Sequence, residues 1–249
     1  MSTLVTTKGL ASNKTQVATH EGDTSGWRSI YRIGAIAAVA VLALVPVQAA
    51  VFIVWPPPTT VGGFFSLFEQ NAIVGLLALD LLLMASWFLS ALMFVALYAA
   101  LRRARAAMVT VALIAELVAL AVYFASNTAF SMLTLSQQYA AATTDADRTL
   151  FLAAGQAMLA LYTGTAFNVS YLLSGVAALL MARAMLRSGI FGTVTAYIGI
   201  AYAVLQVVPP TAGAAGMIVS LLSLAPMVIW IVLIARTLFR LGGEEETTV

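Results

Sequence analysis

The sequence predicts an all-α integral membrane protein, a bundle of six transmembrane helices with additional helical segments on the extracytoplasmic side. Composition is the first observation behind this class. Of the 249 residues, 62% are hydrophobic and only 9% are charged, whereas a soluble domain carries about 25% charged residues. The second observation is a series of apolar segments that approach or exceed the ~20 residues a membrane-spanning helix needs. The lipid bilayer is therefore the first expected partner.

Proline and glycine separate the apolar segments. Prolines 56–58 end the first one, and Pro209, Pro210 and Gly213 separate the fifth from the sixth, because these residues interrupt helices. The six predicted spans are residues 33–55, 73–101, 106–133, 164–184, 190–208 and 213–239. We expect a disordered polar cytoplasmic tail over residues 1–30, the transmembrane domain over 31–241 and a short acidic cytoplasmic tail over 242–249.

The distribution of positive charge predicts the orientation. Of the twelve lysines and arginines, all but Arg148 fall on one side of the six predicted spans, and Arg148 itself lies beside Asp145 and Asp147. Cytoplasmic loops carry an excess of lysine and arginine. We therefore expect a bacterial cell-membrane location, multi-pass, with both termini in the cytoplasm.

Two segments on the predicted outer side are longer than simple turns. The first, residues 59–72, carries Phe64, Phe65 and Phe68, which we expect at the level of the lipid headgroups. The second begins a helix at Thr144, whose spacing to Asp147 resembles a capping box. A straight helix from there to the end of the fourth span would be about 60 Å long, twice the hydrocarbon thickness. It should therefore project outside, lie on the surface or bend near Gly164.

Residue counts exclude several chemistries. The chain has no cysteine, and its one histidine, His20, and its two lysines, Lys8 and Lys14, lie in the N-terminal tail. Disulfides, iron–sulfur clusters, a histidine-ligated haem or zinc, a Ser-His-Asp triad and a Schiff base within the membrane are therefore excluded. We expect no catalytic residue, no metal, no cofactor and no enzymatic activity. The net charge of +2 without a basic patch predicts no nucleic-acid partner.

Glu116 is the most informative residue of the predicted spans. It lies 11 residues after Arg105, about 16 Å along a helix and therefore near the bilayer midplane. A carboxylate there costs about 3 kcal/mol on insertion scales, so it should face protein or water, or be protonated. Tyr123, Asn127 and Ser131 follow at helical spacing on the same face.

This polar stripe has two interpretations. In the first, it lines an outward-open polar cavity or a proton path that ends at Glu116, with Asn168 of the fourth span as a further candidate. In the second, Glu116 is a buried glutamic acid that hydrogen-bonds to a neighbouring helix, and the stripe is a packing contact, with Asn168 reaching Asn127. Asp80 lies about 33 Å from Arg102, near the outer boundary, where a role at the interface or at a helix start is favoured.

Several motifs resemble a known family. They are Ala-Leu-Met-Phe-Val-Ala-Leu-Tyr-Ala-Ala-Leu-Arg-Arg at 91–103, Met-Leu-Arg-Ser-Gly-Ile-Phe at 185–191, Ala-Tyr-Ile-Gly-Ile at 196–200, Ile-Trp at 229–230 and Arg-Thr-Leu-Phe-Arg-Leu-Gly at 236–242. Together they are similar to an uncharacterised bacterial multi-pass membrane family, domain-of-unknown-function family 4386, over about residues 30 to 242. The resemblance implies several membrane helices and no assigned activity, and no functional residue is carried over from it.

Two functions are consistent with these residues. The first is a non-enzymatic accessory or structural membrane subunit, which would act through contacts with other membrane subunits or in a homo-oligomer. Small residues at a spacing of four, as at Ser174, Ala178 and Ala182, allow such close helix contacts. The alternative is a small-molecule or proton-coupled transporter, or a lipophilic-ligand binder, that uses the polar stripe ending at Glu116.

The predicted orientation can be tested with single cysteines, because the chain has no native cysteine. We expect an impermeant thiol reagent to label cysteines at Thr60 and Thr144 in intact cells, and to label cysteines at Ala104 and Gly242 only after lysis. Labelling of position 104 without labelling of position 144 in intact cells would reverse the orientation.

Overall fold

A computed structural model of the protein describes the backbone of residues 6–243 and the side chains of residues 27–243. Within this part the secondary structure is helical, without strands. The helices are α1 (Thr6–Val54), α2 (Val61–Gln70), α3 (Ala72–Ala78), α4 (Leu81–Ser126), α5 (Ala129–Ala141), α6 (Asp145–Tyr162), α7 (Thr165–Met185), α8 (Thr193–Gln206) and α9 (Gly213–Gly243). The all-α class is therefore confirmed.

The predicted terminal tails fall partly outside this description. Residues 1–5 and 244–249 lie outside it, and so do the side chains of residues 6–26, including His20. Helix α1 begins at Thr6 and therefore covers residues 6–30 of the predicted N-terminal tail, and α9 includes residues 242–243 of the predicted C-terminal tail. The disorder of the tails stays a prediction.

Four stretches are long and apolar enough to cross a membrane. They are Trp27–Val54, Leu81–Ala141, Asp145–Met185 and Gly213–Gly243. Helix α8 is apolar but has only 14 residues, about 21 Å of helix. These helices are compatible with a membrane location, and the count of six spans is not confirmed by helix length alone.

Helix α4 reverses direction at Arg105. The backbone of Arg105 is not helical, with φ −151° and ψ 56°. The rings of Trp87 and Tyr123 stack with their centroids 4.6 Å apart, whereas a straight helix would separate residues so far apart in sequence by about 54 Å. Residues 81–104 and 106–126 are therefore two antiparallel helices, which we call the first and second arms of α4.

The two arms form a bundle with α1, α7, α8 and α9. The bundle core combines many alanines with a few large side chains, among them Trp230, Met181 and Leu97. Small residues allow helix backbones to approach closely. A Cβ added at Gly199 of α8 would lie 2.9 Å from the Cβ of Ala182 in α7. The small-residue face predicted on α7 therefore meets α8 within one chain.

A second group of helices, α2, α3, α5 and α6, covers one end of the bundle; we call it the helical cap. Phe64, Phe65 and Phe68 of α2 are buried in the core of this cap, so their rings contact protein, and their position at headgroup level stays a prediction. They form the apolar face of an amphipathic helix, and this face packs against the neighbouring cap helices rather than against lipid.

The boundaries around the cap correct three predicted spans. The span over 73–101 is interrupted because Asp80, between α3 and α4, has a left-handed backbone with φ 63°. The span over 106–133 ends at Ser126. The span over 190–208 reduces to the helix Thr193–Gln206.

The start and the end of α6 agree with the sequence. The backbone N–H of Asp147 donates to the Thr144 hydroxyl at 3.1 Å, as the capping box predicts. Helix α6 ends at Tyr162 and α7 begins at Thr165, so the predicted break near Gly164 is confirmed.

The opposite end of the bundle is basic. Arg32 Nε of α1 donates to the carbonyl oxygen of Gly242 in α9 at 2.9 Å, and Arg240 donates to the Ile190 carbonyl between α7 and α8 at 3.3 Å. The Arg102 guanidinium lies 3.8 Å from the centroid of the Trp27 ring. These contacts bring arginines of three helices, α1, α4 and α9, to one end, while Arg148 lies on α6 in the cap.

The close crossing of α1 and α4 predicts a penalty for a single methyl group at Gly34. A Cβ at this position would overlap the Cβ of Ala96, which belongs to the backbone surface of α4 and cannot rotate away. We expect Gly34→Ala to lower the free energy of unfolding by about 1–3 kcal/mol, measured by thermal denaturation in detergent.

The control is Gly62→Ala in α2, where an added Cβ meets nothing within 4 Å. Both glycines are helical, so the gain in helix propensity is shared. Equal melting temperatures for the two variants would contradict the close crossing.

Candidate functional site

A cavity of about 400 Å³ lies inside the bundle. It is bounded by α1, both arms of α4, α7, α8 and α9, so every helix of the bundle contributes to its wall. Most of the wall is apolar, as in ligand pockets generally. The polar side chains that line it are Gln48, Ser86, Ser90, Glu116, Tyr171, Ser174, Tyr202, Gln206, Ser220 and Ser223.

Among the described residues that line this cavity, Glu116 is the only acidic one. It projects from the second arm of α4 and is 1% exposed. The Ser174 hydroxyl of α7 is the side-chain hydrogen-bonding partner of its carboxyl group. One of its oxygens, Oε2, is buried and has no hydrogen-bonding partner among the described residues. An unpaired buried polar group of this kind costs free energy.

Gln48 of α1 adds a second incompletely bonded group to the wall. Both the nitrogen and the oxygen of its side-chain amide are buried without a hydrogen-bonding partner in the described part of the chain. Sequence reasoning missed this residue. The available signal was an amide in the middle of an apolar span, two positions after Pro46, because a polar side chain in a membrane helix normally faces protein or water.

An aromatic cluster forms the side of the cavity nearest the cap. Trp87 lines the cavity and stacks on Tyr123, while Tyr171 meets Trp87 edge-on with their centroids 5.8 Å apart. Phe167 packs on Tyr171 at 4.9 Å. Tyr123 therefore lies behind Trp87 rather than in the cavity wall, and its hydroxyl is buried without a partner among the described groups.

Trp230 contributes its ring to the opposite wall. Its indole nitrogen has no hydrogen-bonding partner among the described residues. However, this nitrogen is the atom that a Cβ added at Gly199 would overlap. The N–H group therefore faces α8, and only the ring is available to an occupant of the cavity.

The structure does not bring the other predicted site residues to the cavity. The Asn127 amide nitrogen donates to the Leu79 carbonyl at 2.8 Å, and its side-chain oxygen accepts from the Ala129 N–H at 3.0 Å. Ser131 is exposed on α5. The predicted continuous stripe from Glu116 to Ser131 is therefore wrong, because α4 ends at Ser126 and the face is interrupted there.

Asn168 also has a local structural role. Its amide nitrogen donates to the Gly164 carbonyl at 2.8 Å, and its side-chain oxygen accepts a hydrogen bond from the Thr211 hydroxyl. These bonds fix the start of α7 and join it to the segment before α9. The expected contact between Asn168 and Asn127 is replaced by these bonds.

Asp80 is buried where the cap meets the bundle. It is the residue that precedes α4, so the predicted position at a helix start is confirmed, but its side chain makes no capping hydrogen bond. Its carboxyl group instead accepts a hydrogen bond from the Tyr162 hydroxyl of α6. Asp80 therefore joins the cap to the bundle.

The cavity can hold a molecule that offers hydrogen-bond donors to Glu116 and to the Gln48 oxygen. In the described part of the chain, no group of three or more Asp, Glu or His residues is placed to hold a metal ion. No protein-family model, curated protein or solved structure matches this chain. The function must therefore be inferred from the cavity itself.

The contact between Asp80 and Tyr162 predicts the effect of removing one hydroxyl group. Tyr162→Phe leaves the buried carboxyl group of Asp80 without its donor, which should lower the free energy of unfolding by about 1–3 kcal/mol. Tyr197→Phe, at a tyrosine that is 62% exposed, is the matched control. Thermal denaturation of both variants in detergent measures the difference, and equal stabilities would contradict a structural role for this bond.

Proposed function

We propose that this chain is a multi-pass protein of the bacterial cell membrane that binds a small molecule inside its helical bundle, with Glu116 as the polar anchor. The observation that carries the proposal is Glu116 itself, which lines a cavity of about 400 Å³ and whose buried Oε2 atom lacks a partner among the described residues. This volume lies within the range of about 300–1,000 Å³ that is usual for ligand pockets.

A packing role explains these features less well. A carboxyl group retained only for packing would be expected to have its hydrogen bonds completed by neighbouring helices, because few buried polar groups remain unpaired. Ser174 hydrogen-bonds to the carboxyl but leaves Oε2 unpaired. Protein interiors also contain few voids larger than a water molecule. The cavity and the unpaired oxygen together favour a ligand over a packing contact.

We further infer that the bundle crosses the membrane six times, with the helical cap on the extracytoplasmic side. The reversal at Arg105 turns one long apolar stretch into two antiparallel crossings, and α8 connects the basic end to the end that carries the cap. The arginines at the basic end support a cytoplasmic position for that end and for both termini. Single-cysteine labelling tests this orientation independently of ligand binding.

The accessory-subunit function and membership of domain-of-unknown-function family 4386 stay predictions beside this proposal. An accessory subunit needs a partner surface but no internal cavity, so Glu116 would then matter only for stability. The absence of enzymatic activity also stays a prediction. A transporter would need a second opening of the cavity in addition to a binding site. Glu116 and the cavity support the binding step.

Binding can be measured with 8-bromooctylamine as the probe, in nanodiscs of phosphatidylcholine. Bromine quenches tryptophan fluorescence on contact, and Trp87 and Trp230 line the cavity, so Trp27→Phe and Trp55→Phe form the background. We expect a saturable component of quenching, distinct from the linear component caused by partition into lipid. Glu116→Gln should raise the probe concentration at half-saturation at least tenfold, because a hydrogen bond to a charged group contributes about 1.5–3 kcal/mol.

Glu69→Gln is the matched control, since Glu69 is exposed on α2 away from the cavity. It should bind the probe as the parent protein does. A folded Glu116→Gln protein with the same half-saturation as the Glu69→Gln protein would remove Glu116 as the anchor. Purely linear quenching of the parent protein would overturn the binding function itself.

A further inference from the structure

The cavity reaches the surface of the bundle between two helices. Almost all of the residues that line it are buried or half-buried. The three that are exposed are Ala49 of α1 and Leu221 and Leu224 of α9. An exposed residue that also lines a cavity marks an opening. The opening of this cavity therefore lies between α1 and α9; we call it the lateral mouth.

The lateral mouth lies at a depth where the surroundings are hydrocarbon. Ala49 is 17 residues from Arg32, and Leu224 is 16 residues from Arg240, so both lie roughly 25 Å along their helices from the basic end. The hydrocarbon core is about 30 Å thick. The mouth therefore opens within the hydrocarbon of the leaflet next to the cap, and its three exposed residues are all apolar.

Glu116 lies deeper than the mouth. It is about 16 Å along its helix from Arg105, near the middle of the bundle, while Gln48 lies one residue from Ala49 at the level of the mouth. The cavity therefore runs from an apolar opening in the bilayer to a carboxyl group at the midplane. A molecule that fits this gradient has one polar, hydrogen-donating end and one apolar chain.

We propose that the occupant is a single-chain amphiphile with a primary ammonium head, which passes between α1 and α9 from the bilayer, binds Glu116 with its head and leaves its chain in the lateral mouth. This inference rests on the proposed binding function and adds the class of ligand and its route. An ammonium group offers three donors and pairs with a carboxylate that would otherwise be isolated in the membrane. The cavity volume restricts the ligand to one chain, since it lies near the low end for ligand pockets.

The route can be tested by comparing a short amine with a long one. With its head at Glu116, 8-bromooctylamine has the shorter chain, and we expect the longer chain of dodecylamine to extend into the lateral mouth. Dodecylamine should displace 8-bromooctylamine and restore the fluorescence of Trp87 and Trp230. Dodecanol, with the same chain and no positive charge, should displace the probe at least tenfold less well.

Ala49→Phe narrows the mouth, and Ala50→Phe is its matched control, because Ala50 is also exposed but does not line the cavity. We expect Ala49→Phe to weaken the binding of dodecylamine at least tenfold more than the binding of 8-bromooctylamine. Ala50→Phe should change the binding of neither amine. Leu221→Phe and Leu222→Phe form a second pair on α9, with exposures of 61% and 60%, of which only Leu221 lines the cavity.

The outcomes separate this inference from the proposed function. Suppose that 8-bromooctylamine binds through Glu116, but dodecylamine displaces it equally well from the two variants of each matched pair. The lateral mouth is then overturned and the binding function stands. If dodecanol competes as well as dodecylamine, the ammonium head is overturned. If 8-bromooctylamine shows no saturable binding to the parent protein, both proposals fail together. The thermal stability of each variant, measured beside its binding, identifies any protein that has not folded.

Discussion

The reversal of the chain at Arg105 is the constraint on which the rest of the structure depends. Without it, α4 would be a single rod about 70 Å long, more than twice the thickness of the hydrocarbon core. By folding back, the second arm places Tyr123 on Trp87 and Glu116 beside Ser174 of α7. The aromatic cluster, the acidic group and the cavity wall all follow from this one turn.

In a membrane helix, the hydrogen-bonding partner of a polar side chain, or the lack of one, indicates the role of that side chain. Several hydroxyl groups on the membrane helices, such as those of Ser86, Thr110 and Thr237, donate to carbonyls three or four residues earlier on the same helix. Where water is absent, a hydroxyl group on a helix usually satisfies its hydrogen bond in this way. Glu116 Oε2 and the Gln48 amide have no hydrogen-bonding partner among the described groups. The contrast supports the proposal that Glu116 has a role beyond helix packing.

Sequence patterns predicted the elements that depend on local chemistry. Composition predicted the all-helical class, the Thr144 motif predicted the start of α6, and the depth of Glu116 predicted its burial. Patterns failed where tertiary packing decides. Helical spacing placed Ser131 on the Glu116 face but could not show that α4 ends before it. Hydropathy does not distinguish Leu221 from Leu222, although only Leu221 lines the cavity. An apolar residue beside a cavity and an apolar residue beside lipid have the same hydropathy.

The two helices that border the lateral mouth share a further feature at the level of the cavity. Each contains one proline, Pro46 in α1 and Pro226 in α9. A proline removes the hydrogen bond to the carbonyl four residues earlier and tends to bend its helix, here at Leu42 and Leu222. Below this level the helices are joined, since Arg32 bonds to Gly242. The two helices are therefore held together at the basic end, and each has a proline nearer the cap. With this arrangement α1 and α9 could separate at the lateral mouth while the core at the basic end stays packed. This arrangement supports the proposed opening of the cavity between α1 and α9.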